Sequence, residues 1–272
     1  GCTSMADYGV RLERIGKAAV VTFDRPDKNN AFDQRMWDSL ELAVARVRED
    51  LPRAVVITGA GGKAFSAGFD VSLENPMVAC LADAVQRHEK GPAMVLIRRV
   101  RLALDSLIAL PVPVIAAVCG LAYGGGAEFA VRCDLRVLDP GARICFSEVR
   151  LGLMPDQGGG VALTRLVGPS RAADLILTAR EVGAEEALAL GIANRISAPG
   201  KSLEEALALA EAIGENGPEA VRRALKVIRS TPDLTCAEAI ALESQEAVEL
   251  IAGGECIHGI TAFLARKKPE FP

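Results

Sequence analysis

Residues 107–131 read LIALPVPVIAAVCGLAYGGGAEFAV, the longest apolar stretch in the chain. Its length alone would suffice to cross a bilayer. Its interior argues otherwise. Pro111 and Pro113 break the run, glycines follow at Gly120 and at Gly124, Gly125 and Gly126, and a carboxylate, Glu128, comes two residues after the triplet. Such a segment belongs in a protein core, and it divides into a buried strand over VIAAV and a helix opened by the glycines. Adjacent glycines cost conformational entropy. A buried carboxylate costs solvation unless it is paired or protonated. Two penalties side by side mark a candidate site.

The flanking sequence extends this pattern. VRLERIGKAAVVTF reads as two short strands around a Gly-Lys turn, and RAVVIT as a third running into glycines. In FDQRMWDSLELAVARVRED, Met36, Leu40, Ala43, Val44 and Val47 recur at helical spacing, with Met36 and Trp37 expected in the core. Residues 83–110 read as mostly helical, with a break expected at Gly91-Pro92, and CDLRVLD reads as another strand. Strands alternating with helices predict an α/β protein. From about residue 168 the pattern becomes helix after helix. Ser170 is expected to cap one helix, Ser202-x-x-Glu205 and Thr235-x-x-Glu238 to form capping boxes, and Pro218 to open a helix. Such a tail is suited to packing against partner subunits.

Composition narrows the function. Of 272 residues, half are hydrophobic and 24% charged, which fits a globular protein without disulfide staples. The seven cysteines form no C-x-x-C pair, and only two histidines accompany them, so no metal site is expected. Scattered thiols fit a reducing, cytoplasmic setting. A net charge of -4 without a basic run argues against a nucleic-acid surface. No membrane span or secretory signal is expected, and GCTS before Met5 reads as an expression remnant covering residues 1–4.

VVITGAGGKA contains Gly59-x-Gly61-x-x-Ala64, a loose dinucleotide fingerprint. The following FSAGFDV has little helical character, so no helix N-terminus would meet a pyrophosphate. Lys63 is followed by alanine, which breaks the phosphate-loop pattern. A different logic links this segment with the glycine triplet: each is a strand running into a glycine-rich turn. Two backbone N–H groups converging from such turns make an oxyanion hole. Plain tight turns would use the same glycines.

Together, KAFSAGFDV, PVIAAVCGLAYGGGAEFAVRCDLRV and FSEVRLGLMPDQGG resemble the enoyl-CoA hydratase/isomerase (crotonase) family. FDRPDKNNAFDQRM near the start and GITAFLARKKPEF at the end are also similar to it. The resemblance implies a crotonase-like spiral of β-β-α units over residues 5–200 and a helical trimerisation region over 201–272. It also implies an acyl-CoA substrate, no cofactor beyond the CoA that the substrate carries, and assembly as a homotrimer or a dimer of trimers. Phe69 and Gly125 would supply the oxyanion hole, and Glu128 and Glu148 would be the catalytic pair. Hydration needs water activated at Cβ and a proton delivered at Cα, and two carboxyls share these tasks if one is protonated. Glu148 is expected to exchange the Cα proton and Glu128 to activate the water.

Three features stand apart from the hydratase pattern. Asp156 occupies a loop position where glycine is usual, and some family isomerases carry their acid on that loop. It could instead cap the next helix. Ser147 stands where proline is usual before the second glutamate, and His258 where an acidic residue is common. The resemblance further places CoA along Ala64, Ala67, Asp70 and Val71, with Lys28, Phe263 and Lys267 near its phosphates and tail. Lys268 reads as ordinary solvated surface. Isomerisation through Asp156 or Glu148, and a non-catalytic CoA-binding trimer, are the alternatives to hydration.

Overall fold

In the computed structural model, residues 5–272 are described, so the expected remnant at 1–4 lies outside the described residues. The chain opens with β1 (Met5–Asp7), β2 (Val10–Ile15) and β3 (Ala18–Phe23), a meander, followed by α1 (Gln34–Glu49). Asp33 caps α1, its side chain accepting the Met36 N–H at 3.0 Å, and Met36, Trp37, Leu40, Ala43, Val44 and Val47 are all buried.

Three units follow, each giving one strand to each of two sheets before the chain turns into a helix or a 3-10 turn. The first is β4 (Ala54–Gly59) and β5 (Ala64–Ser66), then α2 (Pro76–Arg87) and α3 (Lys90–Ile108). The second is β6 (Val114–Val118) and β7 (Leu121–Tyr123), then α4 (Gly125–Arg132). The third is β8 (Leu135–Leu138) and β9 (Arg143–Cys145), then a 3-10 turn over Glu148–Leu151. After α5 (Gly159–Val167) and α6 (Pro169–Thr178) come β10 (Val182–Gly183), α7 (Ala184–Ala189) and β11 (Arg195–Ile196). The larger sheet has the order β1-β2-β3-β4-β6-β8-β11 and the smaller β10-β9-β7-β5. From β3 onward the larger sheet is parallel, as are β5, β7 and β9. This is the spiral of β-β-α units, and β5 following Gly59–Gly62 removes the dinucleotide reading.

Glycine makes the step between sheets possible. A Cβ on Gly120, between β6 and β7, would stand 2.2 Å from the Lys63 carbonyl oxygen. A Cβ on Gly59 would stand 2.3 Å from that of Ala64. Neither site accepts a side chain.

Both faces of the large sheet are covered, which explains why its parallel strands are largely apolar. Phe23, Phe32, Trp37, Phe65 and Phe129 form an aromatic cluster with several ring centroids 4.5–5.4 Å apart. On the other face, α8 (Ser202–Gly214) lays Ala206 and Ala210 against Val20, Val56, Ile115 and Val137. Then come α9 (Pro218–Ser230), α10 (Cys236–Gly253) and α11 (Cys256–Leu264). Pro218 opens α9, and Thr235 and Glu238 form the expected capping box of α10.

Three local expectations shift. The helical break falls at His88-Glu89, where His88 takes φ 52°, and Pro92 lies in the first turn of α3, where its missing N–H costs nothing. Ser170 is not a cap, because Gly168 holds the cap position two residues earlier and Ser170 is already the second residue of α6. Ser202 forms no capping box: Lys201 holds the cap position, and Ser202 is the buried first residue of α8.

Candidate active site

The floor of the site comes from α4. Phe129 is locked into the aromatic cluster, and the preceding residue points about 100° around the helix from it. This turns Glu128 away from the core toward the start of α5, where it is 1% exposed. Its Oε2 accepts the N–H groups of Gln157 and Gly159, each at 2.8 Å, and its Oε1 accepts that of Asp156 at 3.3 Å. The approach requires glycine at 159: a Cβ there would stand 2.4 Å from the Glu128 Cβ. The glycines at 158–160 thus let a helix N-terminus close over a carboxylate. Arg132 holds the same loop, donating to the Gln157 carbonyl at 2.9 Å while pairing with Asp105.

Glu148 enters from the other side, at the start of the 3-10 turn after β9. Both of its carboxyl oxygens are buried and have no hydrogen-bond partner. Its pKa is raised, chiefly by burial. Glu128 is pushed up to about 8, first by burial and then by the neighbouring Glu148, against the opposing pull of the Gly159 and Gln157 N–H groups. Two interacting buried carboxyls titrate as a unit. The pair therefore keeps one proton at neutral pH. Three N–H groups donate to Glu128, whereas the carboxyl of Glu148 meets that of Glu128, so the two carboxyls share this proton.

The two glutamates share a cavity of ≈ 130 Å³ with Phe69, Gly124, Gly125, Asp156 and Gln157. Its apolar wall comes from α2 and α3 through Leu81, Leu96, Ile97 and Val100, and from Leu151, Leu153 and Met154. Phe69 bridges to Phe32: the Phe32 N–H donates to the Gly68 carbonyl, and the Asp70 N–H to the Phe32 carbonyl. In a parallel bridge, the N–H between those two contacts points the opposite way. Gly125, as the first residue of α4, has an N–H with no intrahelical acceptor. Gly68, at φ +83°, brings the two segments together, since a Cβ on it would stand 2.6 Å from the Gly125 nitrogen. The arrangement is a buried carboxyl pair beside two backbone donors in an apolar pocket. It suits proton movement next to a polarised oxygen.

The remaining sequence-predicted residues separate into two groups. Asp156 lines the cavity but remains exposed at its mouth, and partial burial raises its pKa. It does not cap α5, a position Gly158 occupies. Ala67 and Val71 also line the cavity. Ala64 is buried in β5, paired with Leu121. The Asp70 carboxylate is turned inward: it accepts from Arg25 at 2.8 Å and from the Ser72 N–H at 2.9 Å. Burial raises its pKa, but these bonds outweigh burial and lower it. Lys28 lies outside the cavity, 3.6 Å from Glu74. Phe263 in α11 is 80% exposed, and Lys267 is exposed beyond it; neither lines the cavity of its own chain. Lys268 pairs with Glu215. Sequence reasoning missed Gln157, which is 4% exposed, and Arg132. The glycine run after Gln157 was the available signal.

Residues 13–272 match the family profile described as enoyl-CoA hydratase/isomerase. The chain is 35% identical to the short-chain-enoyl-CoA hydratase of Clostridium acetobutylicum, covering 96% of each chain. It is 32% identical to the crotonyl-CoA hydratase of Syntrophomonas wolfei, covering 98% of this chain and 99% of that one. The crystal structure of an enoyl-CoA hydratase from Bacillus anthracis superposes with a TM-score of 0.88 at 29% identity, covering 97% of this chain and 98% of that one.

Proposed function

The chain belongs to the enoyl-CoA hydratase/isomerase family, and on that premise we propose that it adds water across the 2,3 double bond of a 2-enoyl-CoA thioester. The observation that carries the reading is the Glu128–Glu148 pair in one apolar cavity, one carboxyl ringed by donors and the other by none. The thioester oxygen lies between the N–H groups of Phe69 and Gly125. Negative charge builds there as water adds at C3, and one such donor is typically worth about 10²–10³ in rate. Glu128 takes a proton from the attacking water while the new C3–O bond forms. Glu148 delivers its proton to C2. The product is a 3-hydroxyacyl-CoA, and transfer of one proton within the pair restores the starting state.

CoA arrives as part of the substrate, and no separate cofactor is invoked. Its pantetheine runs along the backbone of residues 64–71, a placement supported by Ala67 and Val71 in the cavity wall. Lys28 meets a CoA phosphate. Phe263 and Lys267 reach the tail from a neighbouring copy in a homotrimer or dimer of trimers, with residues 201–272 as the assembling region. Exposed Ile251, Ile257, Ile260, Phe263 and Leu264 support that assembly. No single helix among the described residues is long and apolar enough to cross a membrane. The six described cysteines are unpaired, in keeping with a cytoplasmic setting.

The test is loss of crotonyl-CoA absorbance with the wild type, Glu148→Gln and Asp156→Asn. Hydration falls at least about 10²-fold in Glu148→Gln and survives in Asp156→Asn. Asp156 at the cavity mouth favours a second reading, isomerisation of a 3-enoyl-CoA to the 2-enoyl form. That reading gains if hydration is absent and isomerisation depends on Asp156. CoA binding without either reaction would leave a non-catalytic CoA-binding protein.

A further inference from the structure

Gln157 is a buried polar side chain that the hydration chemistry above does not use. It is 4% exposed, lines the cavity with both glutamates, and its Oε1 is buried with no hydrogen-bond partner. An unpaired buried amide oxygen costs about 1–3 kcal/mol. Glu148 Oε1 and Oε2 are unpaired in the same cavity. With one Glu148 oxygen carrying the proton, its other oxygen and Gln157 Oε1 remain as orphan acceptors in one pocket, and they call for a small donor that arrives from outside.

The position of Gln157 identifies that donor. Its backbone N–H is bound to Glu128 Oε2 at 2.8 Å, so the residue adjoins the base. Its side chain lies across Gly125, where an added Cβ would come 2.7 Å from Nε2. Glu128 Oε2 already accepts two N–H groups, while Oε1 accepts one long contact at 3.3 Å. An sp² oxygen takes about two donors, so Oε1 has room for one more. A water molecule has two hydrogens to place. With one on Glu128 Oε1, the second needs another acceptor, and a protonated Glu148 is committed to C2.

Resting on the hydratase reading, we propose that Gln157 is a further catalytic residue: its Oε1 accepts the second hydrogen of the attacking water. With both hydrogens held, an oxygen lone pair is left to face C3. The amide gains and loses no proton. It fixes the orientation of the water while Glu128 removes the other hydrogen, an orientational contribution that acts on the chemical step. Asp156, beside it in sequence, stays at the mouth and takes no part.

The experiment uses Gln157→Met, which keeps the length of the side chain and removes the acceptor. Hydration of crotonyl-CoA is measured beside the affinity for butyryl-CoA, which has no double bond to hydrate but offers the same thioester oxygen. The expected result is a kcat lowered about tenfold or more, with KM and the butyryl-CoA Kd within about threefold of wild type. A kcat within about threefold of wild type overturns the proposal. A weakened butyryl-CoA Kd accompanying the loss of kcat also overturns it, since Gln157 would then act by supporting the Gly125 N–H. Unchanged butyryl-CoA binding certifies that the variant is folded. A wild-type protein that hydrates no 2-enoyl-CoA would instead withdraw the hydratase reading, and this inference with it.

Discussion

At the scale of single residues, the site trades stability for reactivity. The Glu148 carboxyl is buried with two unpaired oxygens, and its pKa is raised by that burial. A folded state that holds a proton more tightly than the unfolded chain loses stability as pH rises between the two pKa values. Glu148→Gln, which has no proton to lose, escapes that loss. Its Tm should match the wild type at pH values below the ordinary carboxyl range and exceed it, by a few degrees, as pH rises above that range. A Tm difference independent of pH would show that Glu148 is not held protonated by the fold. In the proposed mechanism the pair's proton goes to C2, so kcat/KM for hydration should fall with rising pH once the pair loses it, with Glu128 pushed up to about 8. Glu128 was legible as a carboxylate next to glycines. Its hydrogen-bond partners were not, because they lie 28–31 residues away.

At the scale of elements, glycines decide whether a strand can pass from one sheet to the other. Gly120 and Gly62 provide a matched comparison. A Cβ at Gly120 would overlap the Lys63 carbonyl, whereas at Gly62 nothing lies within 4 Å and only the backbone, at φ +69°, resists. Gly120→Ala should therefore cost about 3 kcal/mol or more, and Gly62→Ala about 1 kcal/mol, read from denaturant unfolding. Equal costs would mean that the crossing between sheets is looser than its geometry. Element type was largely visible in the sequence, because apolar periodicity and β-branched runs are local signals. Boundaries were less so. Ser202 had the composition of a cap, but packing of α8 on the large sheet draws it in as the first helical residue. The break between α2 and α3 falls at His88-Glu89 because proline is tolerated in a first helical turn.

At the scale of the whole molecule, α10 and α11 expose Ile240, Val248, Ile251, Ile257, Ile260, Phe263 and Leu264, apolar surface of the kind found at interaction sites. If copies assemble through them, a charge at their centre should separate the copies. The double substitution Ile257→Asp and Phe263→Asp should reduce the mass seen by sedimentation to that of one chain, with near-native secondary structure. A wild-type protein that already sediments as a monomer would remove the assembly, and with it any route for Phe263 and Lys267 to a CoA tail. The sequence by itself determined the alternation of strands and helices, the two strands that run into glycine-rich turns and the apolar helix faces, since each depends on neighbours within a few residues. The family resemblance carried by motifs spread along the chain pointed to Glu128, Glu148 and the N–H groups of Phe69 and Gly125 as candidates. Only the tertiary structure decided what those groups experience. Packing of Phe129 turns Glu128 toward α5, Gly159 lets that helix close over it, and Arg25 withdraws Asp70 from the cavity. Burial then leaves the Glu148 carboxyl oxygens and Gln157 Oε1 without a donor from the surrounding backbone. Solvation and pairing depend on atoms brought from distant segments, and no local pattern of residues encodes them.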